Sequence, residues 1–323
     1  MTAHPVVAVV GASGFVGSAV VRALVAGGGT PVAVPAPRLR TAARDADALG
    51  REAAILAQDG EDGLGLDGLA GSDVVVIAAG VPDATGSDTD QLVGAHALLP
   101  AVVFAAARRA GVRRVVHVSS AAVQGAAELL DETADRAPES PYAVSKALGE
   151  EVLDRLAASA GVELVIYRPP SVQGPGRRVT ERVASLARSP LRSVAGDGSS
   201  PSPQALVENV GSAVARLCTL PLVPRYVIHP WEGITTGSLL ELIGGGRRPR
   251  RIPAVLARVA VRIARATLGR SPGGEGTVRR IEVLWFGQRQ APSWLTTQGW
   301  TPPVGAEGWQ QLARPTTRRR TSS

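Results

Sequence analysis

The chain has 323 residues, of which 45% are hydrophobic and 20% are charged, and its formal net charge is +7. These values exclude an intrinsically disordered chain, and the length suits one large domain or two unequal lobes around a sizeable core. The single cysteine excludes an internal disulfide, and because neither a leader pattern nor a run of about eighteen apolar residues occurs, we expect a cytoplasmic protein without a membrane span.

Short apolar runs alternate with longer helical patterns over the first half of the chain. Strands are predicted at Val6–Val10, Pro31–Val34, Asp73–Ala79, Arg114–Ser119 and Glu163–Arg168, with a weaker one at Ala53–Ala57. Helices are predicted from the first glycine turn to about Gly28, over Gln91–Ala110, and from about Ser140 to Ala160. This alternation predicts the α/β class, with a doubly wound parallel sheet of Rossmann type covered on both faces.

The pattern changes beyond Arg168. Proline and glycine punctuate residues 169–203, a helix is predicted at about Ala205–Leu220, a strand follows at Arg225–His229, and residues 233–313 are mainly helical and arginine-rich. We expect residues 1–168 to form a dinucleotide-binding domain to which 205–232 return. Residues 169–204 and 233–313 are expected to form a smaller substrate-binding lobe over the carboxyl ends of the strands, and 314–323 a flexible basic tail.

Three glycines lie between the first predicted strand and the first predicted helix. The first permits a tight turn, the second lets the backbone approach a pyrophosphate, and the third lets the helix pack on the strand. The helix N-terminus adds free N–H groups and a partial positive charge, so this position predicts a dinucleotide site, whereas glycine spacing alone is a weak signal. The residues assigned to the site here are Gly11, Ser13, Gly14, Phe15, Val16 and Gly17, with Ala78 and Ala79 at the end of a later strand.

The end of the second strand bears on which dinucleotide binds. An acidic residue there would hydrogen-bond the ribose hydroxyls and repel a 2′-phosphate. Here Val34 is followed by Pro35, no acid occurs before Asp45, and Arg38 and Arg40 stand close by. An ordinary charged loop has the same composition. We interpret the two arginines as a clamp for the 2′-phosphate, so NADP(H) is the preferred cofactor and NAD(H) the alternative.

Tyr142 and Lys146 stand four residues apart in a predicted helix, so both side chains project from the same face. A phenol titrates at about pH 10, and a neighbouring ammonium stabilises the phenolate and lowers the phenol pKa toward the useful range. Lys146 is the only lysine in a chain that otherwise uses arginine, whose planar fork does not replace a compact ammonium. We therefore interpret the two residues as a catalytic pair and not as a structural surface pair.

Five segments carry a resemblance to a known family. They are GASGFVG at 11–17, VHVSSAAVQG at 116–125, ESPYAVSKALGEE at 139–151, YRPPSVQGPG at 167–176 and QGWTPPVGAEG at 298–308. With them the chain resembles, over about residues 5–313, the extended short-chain dehydrogenase/reductases, also called the NAD-dependent epimerase/dehydratase family. The middle three segments are specific in combination.

The resemblance implies roles for individual residues. Tyr142 would be the acid/base, Lys146 would bind the nicotinamide ribose and tune the phenol, and Pro169 would contact the cofactor. Counting back from the glycine that closes the serine motif, the resemblance implies Ser120, in preference to Ser119, as the hydroxyl that hydrogen-bonds the reacting oxygen. Taken alone, Ser120 is also what a strand-end hydroxyl that caps a loop would look like.

The chain departs from the family where the substrate would bind. Gln124 and Gln173 stand where the family usually has tyrosine, and Ser171 stands where nucleotide-sugar members usually have asparagine. Ser202 occupies the position of their pyrophosphate-binding arginine. We take Gln124, Ser171 and Gln173 as candidate substrate-binding residues. The fold and the redox chemistry are compatible with these changes, while the nucleotide-sugar assignment is weakened.

The leading functional hypothesis is NADPH-dependent reduction of a keto group on a nucleotide-linked deoxysugar, because the first and last segments resemble those of deoxysugar 4-ketoreductases. One alternative is an epimerase or dehydratase that retains NAD and recycles its hydride. Another is a reductase of a nucleotide-free ketone, which the absent asparagine and arginine suit. An alternative from a different class is a catalytically silent dinucleotide sensor, against which the complete Ser–Tyr–Lys set argues.

Few other residues suggest a ligand. His4, His96, His229 and Cys218 have no metal-like spacing, so no metal is expected, and His117 on a buried strand is expected to be a core residue with its hydrogen bonds satisfied, in preference to a ligand. Nucleic acid is not an expected partner, because aromatic residues do not interleave with the arginines. The expected partner is a small-molecule substrate, and a homodimer is compatible with the sequence.

Segment Pro253–Leu268 carries arginines at 258, 262 and 265, on a helical face opposite Val255, Val259 and Ile263. We expect a surface helix packed on the protein by those apolar residues. The alternatives are that its arginines contact a substrate phosphate, or that the helix touches an anionic membrane surface.

Overall fold

The structure is a computed structural model that describes residues 4–59, 63–81, 88–125, 127–158, 161–268 and 274–313. The predicted basic tail, residues 314–323, lies outside the described residues.

The strands alternate with helices along most of the chain. The strands are β1 (Val7–Val10), β2 (Val32–Val34), β3 (Val74–Ile77), β4 (Arg114–Val118), β5 (Leu129–Leu130), β6 (Glu163–Arg168), β7 (Ser171–Gln173), β8 (Ser193–Ala195), β9 (Gln204–Leu206), β10 (Tyr226–Ile228), β11 (Arg250–Ile252) and β12 (Arg289–Gln290). The helices are α1 (Phe15–Ala26), α2 (Ala46–Asp59), α3 (Thr89–Val93), α4 (Leu99–Arg109), α5 (Pro141–Ala157), α6 (Arg178–Arg188), α7 (Val207–Thr219), α8 (Thr236–Ile243), α9 (Ala254–Leu268), α10 (Gly274–Phe286), α11 (Trp294–Thr297) and α12 (Ala306–Gln311).

Six strands form one parallel sheet in the order β10-β6-β4-β3-β1-β2. Every residue of β1, β3 and β4 is buried. Burial on both faces explains why β1 and β3 are continuous apolar runs without alternation, while β4 also buries Arg114 and His117. The predicted α/β class and doubly wound parallel sheet are confirmed. Because the chain places β2 on one side of β1 and β3 on the other, the crevice that binds ligands in such sheets lies at the carboxyl ends of β1 and β3.

The weak strand predicted at Ala53–Ala57 is wrong, because these residues lie inside α2. Leu49, Ala53 and Ala57 are four residues apart and all are buried, so they form the inner face of a helix. A short apolar run fits a strand or a helix equally well, and only the spacing to Leu49 separates the two.

A π-helical turn at Gly94–Leu98 joins α3 to α4. Pro100 has no N–H to give to the carbonyl of His96, and a widened turn accommodates the proline ring. A Cβ on Gly149 of α5 would overlap that same carbonyl oxygen, so a glycine is needed where α5 approaches the turn.

The continuous helix over Thr89–Arg109 is the one helix in the described ranges that is long and apolar enough to cross a membrane. That property depends on length and composition only, and 72% of its apolar window is buried inside the chain. The helix packs against α2 and α5. It therefore has the environment of a core helix.

The described residues divide into two compact units. The first contains the chain up to Pro170, Glu208–Pro230 and Ala291–Thr301, and the second contains Ser171–Val207, Trp231–Gln290 and the chain from Pro302 on. The sequence assigned 291–301 to the smaller lobe, whereas the structure places it in the first unit. There the Trp300 indole N–H donates to Ser212 Oγ at 3.2 Å.

The second unit has a small core of its own. Its strand pairs are β7 with β9 and β8 with β11, both parallel. Residues 169–203, predicted only as a segment punctuated by proline and glycine, contain β7, α6 and β8. The three-residue strands β7 and β8 are too short to show a periodicity in the sequence. The buried apolar residues of this core include Leu206, Ile234, Leu239, Ile243 and Trp309.

Candidate active site

The sheet brings the predicted site residues of the first unit to one edge. Ser119 and Ser120 follow β4, Ala78 and Ala79 follow β3, and Pro169 follows β6. All three strands are parallel, so these ends share the edge at which the glycine loop leaves β1. Backbone hydrogen bonds join neighbouring ends: the Ala121 N–H donates to the Pro169 carbonyl at 2.8 Å, and the Ala78 N–H donates to the Val10 carbonyl at 3.0 Å.

The glycine loop is shaped by close backbone contacts. Gly11 has a φ of +83°, which glycine adopts without strain, and a Cβ there would lie 2.9 Å from Ala79 Cα. A Cβ on Gly17 would overlap the Gly11 carbonyl oxygen. Helix α1 begins at Phe15, with no acidic residue in its first turn and no side-chain cap from Gly14. An uncapped helix start behind a tight glycine turn fits a dinucleotide pyrophosphate.

The two arginines of the predicted 2′-phosphate clamp differ in their surroundings. Arg40 donates to both carboxylate oxygens of Asp88, at 2.6 and 3.0 Å, on an exposed surface. The Asp88 carboxylate raises the pKa of Arg40, chiefly through these hydrogen bonds. Arg38 is exposed and has no ion pair with any residue that the structure describes. Of the two, Arg38 is the guanidinium that a phosphate could meet without displacing a carboxylate.

Tyr142 lies in the first turn of α5. Ser140 caps this helix by accepting the Ala143 N–H at 3.2 Å, and Pro141 occupies its first position, where the absent N–H costs nothing. The Tyr142 ring is half-buried and meets the His96 ring edge-on, with 5.1 Å between centroids. The phenol is thus held at a fixed helix start against a neutral aromatic neighbour.

Lys146 is 4% exposed, and its Nζ donates to the Val118 carbonyl oxygen at 3.0 Å. Burial lowers the pKa of Lys146 to about 8, and the Glu150 carboxylate partly opposes that shift. A Cβ on Gly80 would lie 3.7 Å from the ammonium, which places Lys146 beside the end of β3. The ammonium therefore lies at the strand edge where the phenol and the glycine loop converge.

The two serines after β4 have different roles. Ser119 is buried, and its hydroxyl donates to Glu150 Oε1 at 2.6 Å. Glu150 is fully buried and also accepts two hydrogen bonds from Arg168, at 3.0 and 2.7 Å, and one from Arg136 at 3.1 Å. Ser120 is half-buried, and its Oγ accepts only the Ala122 N–H among the bonds of the described residues, at 3.2 Å. Its proton is left for another acceptor.

Two of the three candidate substrate-binding residues are engaged elsewhere. Gln124 is 2% exposed. Its amide nitrogen donates to Asp131 Oδ1 at 2.8 Å, and its amide oxygen accepts the Asp131 N–H at 3.1 Å. Gln173 is fully buried and bonds Ser171, Gln204 and Thr180. Both amides are therefore committed to protein partners, as buried polar groups must be. Ser171 remains an exposed hydroxyl.

Sequence reasoning missed a supporting role for His96. In the first unit its Nδ1 lies 2.8 Å from Ser145 Oγ, while its Nε2 lies 3.1 Å from the Val81 N–H. Nε2 also lies 3.2 Å from the Val81 carbonyl oxygen. Because Ser145 donates to the Tyr142 carbonyl, we assign the ring proton of His96 to Nδ1, so that Nε2 accepts the Val81 N–H. Burial lowers the pKa of His96 to about 2, so the ring stays neutral. A lone histidine in an apolar helix gives no sequence signal for this contact.

His117 is buried as expected, but neither ring nitrogen has a hydrogen-bond partner among the described residues, so the expectation of a satisfied core histidine is not met there. Burial places its pKa well below the usual range. It is a neutral core residue.

Comparisons with known proteins agree with this architecture. The profile of the NAD-dependent epimerase/dehydratase family matches residues 7–217. The ceramide reductase of Caulobacter vibrioides is 30% identical over 87% of this chain and 85% of its own. The UDP-glucose 4-epimerase of Vibrio cholerae is 42% identical over 82 residues, which are 24% of each chain.

Two solved structures share the fold at 18% identity. The UDP-glucuronic acid 4-epimerase of Bacillus cereus, in complex with NAD, has a TM-score of 0.62 and covers 96% of this chain and 100% of its own. A human epimerase family protein with NADPH has a TM-score of 0.65 and covers 95% of this chain and 99% of its own.

Proposed function

The chain belongs to the NAD-dependent epimerase/dehydratase family of NAD(P)-dependent enzymes, and we propose that it reduces the keto group of a small molecule to an alcohol. The observation that supports this proposal is the set of three side chains in the first unit: the available hydroxyl of Ser120, the phenol of Tyr142 and the buried ammonium of Lys146. A sensor without catalysis would have no need for the complete set.

In this proposal each side chain has one task. A nicotinamide dinucleotide, with its pyrophosphate at the glycine loop and its nicotinamide ribose at Lys146, would supply the hydride that reduces the carbonyl carbon. Tyr142 donates its phenolic proton to the carbonyl oxygen, and Ser120 donates a hydrogen bond to the same oxygen, where negative charge develops. Lys146 keeps its proton below a pH of about 8 and stabilises the phenolate that Tyr142 leaves behind.

The second unit favours a substrate without a nucleotide. Ser171 and Ser202 stand where an amide and an arginine would bind a nucleotide sugar, and Ser202 is fully buried. A buried neutral hydroxyl provides no charge for a pyrophosphate. The ceramide reductase, a relative along most of the chain, is by its name a reductase of a substrate that carries no nucleotide.

A second candidate substrate is a keto group on a nucleotide-linked sugar. The segment that is 42% identical to a UDP-glucose 4-epimerase favours it, and the exposed Ser171 hydroxyl remains available for a polar contact. The reaction in the first unit would be the same, because the difference lies in what the second unit recognises.

The cofactor that we propose is NADP(H). No acidic residue stands at the end of β2, and Arg38 is an exposed guanidinium without an ion pair among the described residues. A phosphate accepts charge-assisted hydrogen bonds from such a group.

The experiment is a panel of purified ketones incubated with the protein and NADPH. One arm contains nucleotide-free ketones of increasing chain length, and the other contains keto-sugar nucleotides. We expect loss of reduced-cofactor absorbance in the first arm. Turnover in the second arm alone would favour the nucleotide-sugar candidate, and an isomerised product without net cofactor oxidation would contradict the reductase.

A further inference from the structure

Helix α9 in the second unit buries only a narrow face against the rest of that unit. The buried residues of this helix are Ala257 and Val261. The large aliphatic residues lie outside: Val255, Leu256, Val259 and Ile263 are 68%, 61%, 47% and 60% exposed. This corrects the expectation that Val255, Val259 and Ile263 pack the helix on the protein.

The exposed aliphatic residues form a continuous row. Leu256, Val259 and Ile263 follow one another at spacings of three and four residues, which places them on one helical face. A soluble surface helix usually buries such a row, and a contiguous exposed apolar patch marks an interaction site. We therefore expect this row of side chains to contact a binding partner.

Arginines adjoin the row. The expectation that they lie on the face opposite it is wrong, because with about 3.6 residues per turn Arg262 is about 60° from Val259 around the helix. Arg258 and Arg262 stand four residues apart, both are exposed, and neither forms an ion pair within the described part of the chain. Arg265 pairs with Glu282 of α10 at 3.0 Å. The chain from 242 to 274 contains no acidic residue, and four further arginines precede the helix at 247, 248, 250 and 251. A partner that satisfies both groups of side chains must carry negative charge for the arginines next to an apolar region for the aliphatic row.

Two other occupants fit less well. In a symmetric pair of copies the same patch meets itself, so Arg258 and Arg262 would face the arginines of the other copy with no acid between them. A nucleic acid would meet the positive charge but would leave Leu256, Val259 and Ile263 in water, since α9 has no aromatic side chain on which a base could stack.

We propose that α9 is a docking surface for an anionic phospholipid bilayer. The helix lies along the membrane plane, with Leu256, Val259 and Ile263 among the upper acyl chains and Arg258 and Arg262 at the lipid phosphates. This inference depends on the second unit alone and does not require the proposed ketone reduction.

The test is co-sedimentation of the full-length protein with vesicles of phosphatidylcholine, with and without phosphatidylglycerol. We expect binding to the anionic vesicles and little to the neutral ones. R258Q/R262Q should weaken binding about thirtyfold, since each basic residue near the surface contributes about fivefold. L256S/I263S should weaken it about tenfold or more through lost apolar insertion.

Matched control variants distinguish binding through α9 from non-specific binding of the protein to vesicles. I55S/L222S removes two exposed aliphatic residues of the first unit, and R51Q/R108Q removes two exposed arginines of that unit. Both controls should bind anionic vesicles like the wild type. Because all four variants change exposed residues, their thermal melting should stay close to that of the wild type.

Three outcomes would overturn the proposal. The first is that the wild-type protein does not bind anionic vesicles. The second is that the α9 variants and their controls lose binding equally. The third is a wild-type dimer in light scattering that L256S/I263S converts to a monomer, which would make the face an interface between copies.

Discussion

The first unit holds the reactive side chains of the proposed site, whereas the second unit carries all but one of the departures from the family's substrate-binding pattern, the exception being Gln124. Ser120, Tyr142 and Lys146 occupy positions fixed by β4 and α5. In the second unit, Ser171 and the buried Ser202 stand where the family resemblance implies an asparagine and an arginine, and α9 presents large aliphatic side chains to solvent. In the function that we propose, the reaction chemistry therefore belongs to the first unit and substrate recognition depends on the second.

The largest effect is expected for Tyr142→Phe, which removes the phenolic hydroxyl that donates the proton and keeps the aromatic ring. We expect kcat to fall by about 10²–10⁴-fold, because general acid catalysis is lost, while NADPH binding in calorimetry is unchanged. Ser171→Ala in the second unit should change KM more than kcat. If the two variants had the same kinetic signature, the separation of chemistry from recognition would be wrong.

Ser120→Ala and Ser119→Ala sharpen the comparison within the first unit. Loss of the Ser120 donor should lower kcat by about 10²–10³-fold with unchanged melting. Ser119→Ala should instead lower the free energy of unfolding by about 1–3 kcal/mol, because the buried Glu150 loses a hydrogen bond. Steady-state kinetics and chemical denaturation of both proteins decide this. The reverse result would make Ser119 the reacting hydroxyl.

Arg38→Ala tests cofactor choice. A well-formed charge-assisted contact to the 2′-phosphate would favour NADPH by about tenfold, and its loss should leave the Kd for NADH unchanged. Arg40→Ala should have a smaller effect, because Asp88 already occupies that guanidinium. Calorimetric titration of both cofactors measures this. A wild type that binds NADH at least as tightly as NADPH would contradict the assignment.

The smallest expected effect is a pH dependence set by Lys146. Its pKa is lowered to about 8, so the ammonium is present below that pH and is lost as the pH rises through it. We expect kcat/KM for reduction to fall over this range. In Lys146→Arg the charge persists, so the decline should move to higher pH even as cofactor binding weakens. Identical alkaline profiles would show that Lys146 does not titrate in the reaction.

The sequence predicted the first unit better than the second. Continuous apolar strands, the glycine turn and the spacing of Tyr142 and Lys146 are local patterns with local physical causes. The engagement of Gln124 with Asp131, and the inward turn of Ala257 and Val261, depend on which side chains meet after folding. No periodicity in the sequence contains that information.

Transfer of deuterium from labelled reduced cofactor to the product tests the proposed reduction most directly. The protein is incubated with a nucleotide-free ketone and NADPH deuterated at the transferred position, and the product is analysed by mass spectrometry. We expect deuterium on the carbinol carbon of each alcohol molecule and an equal molar amount of oxidised cofactor. An isomerised product without net cofactor oxidation would contradict it.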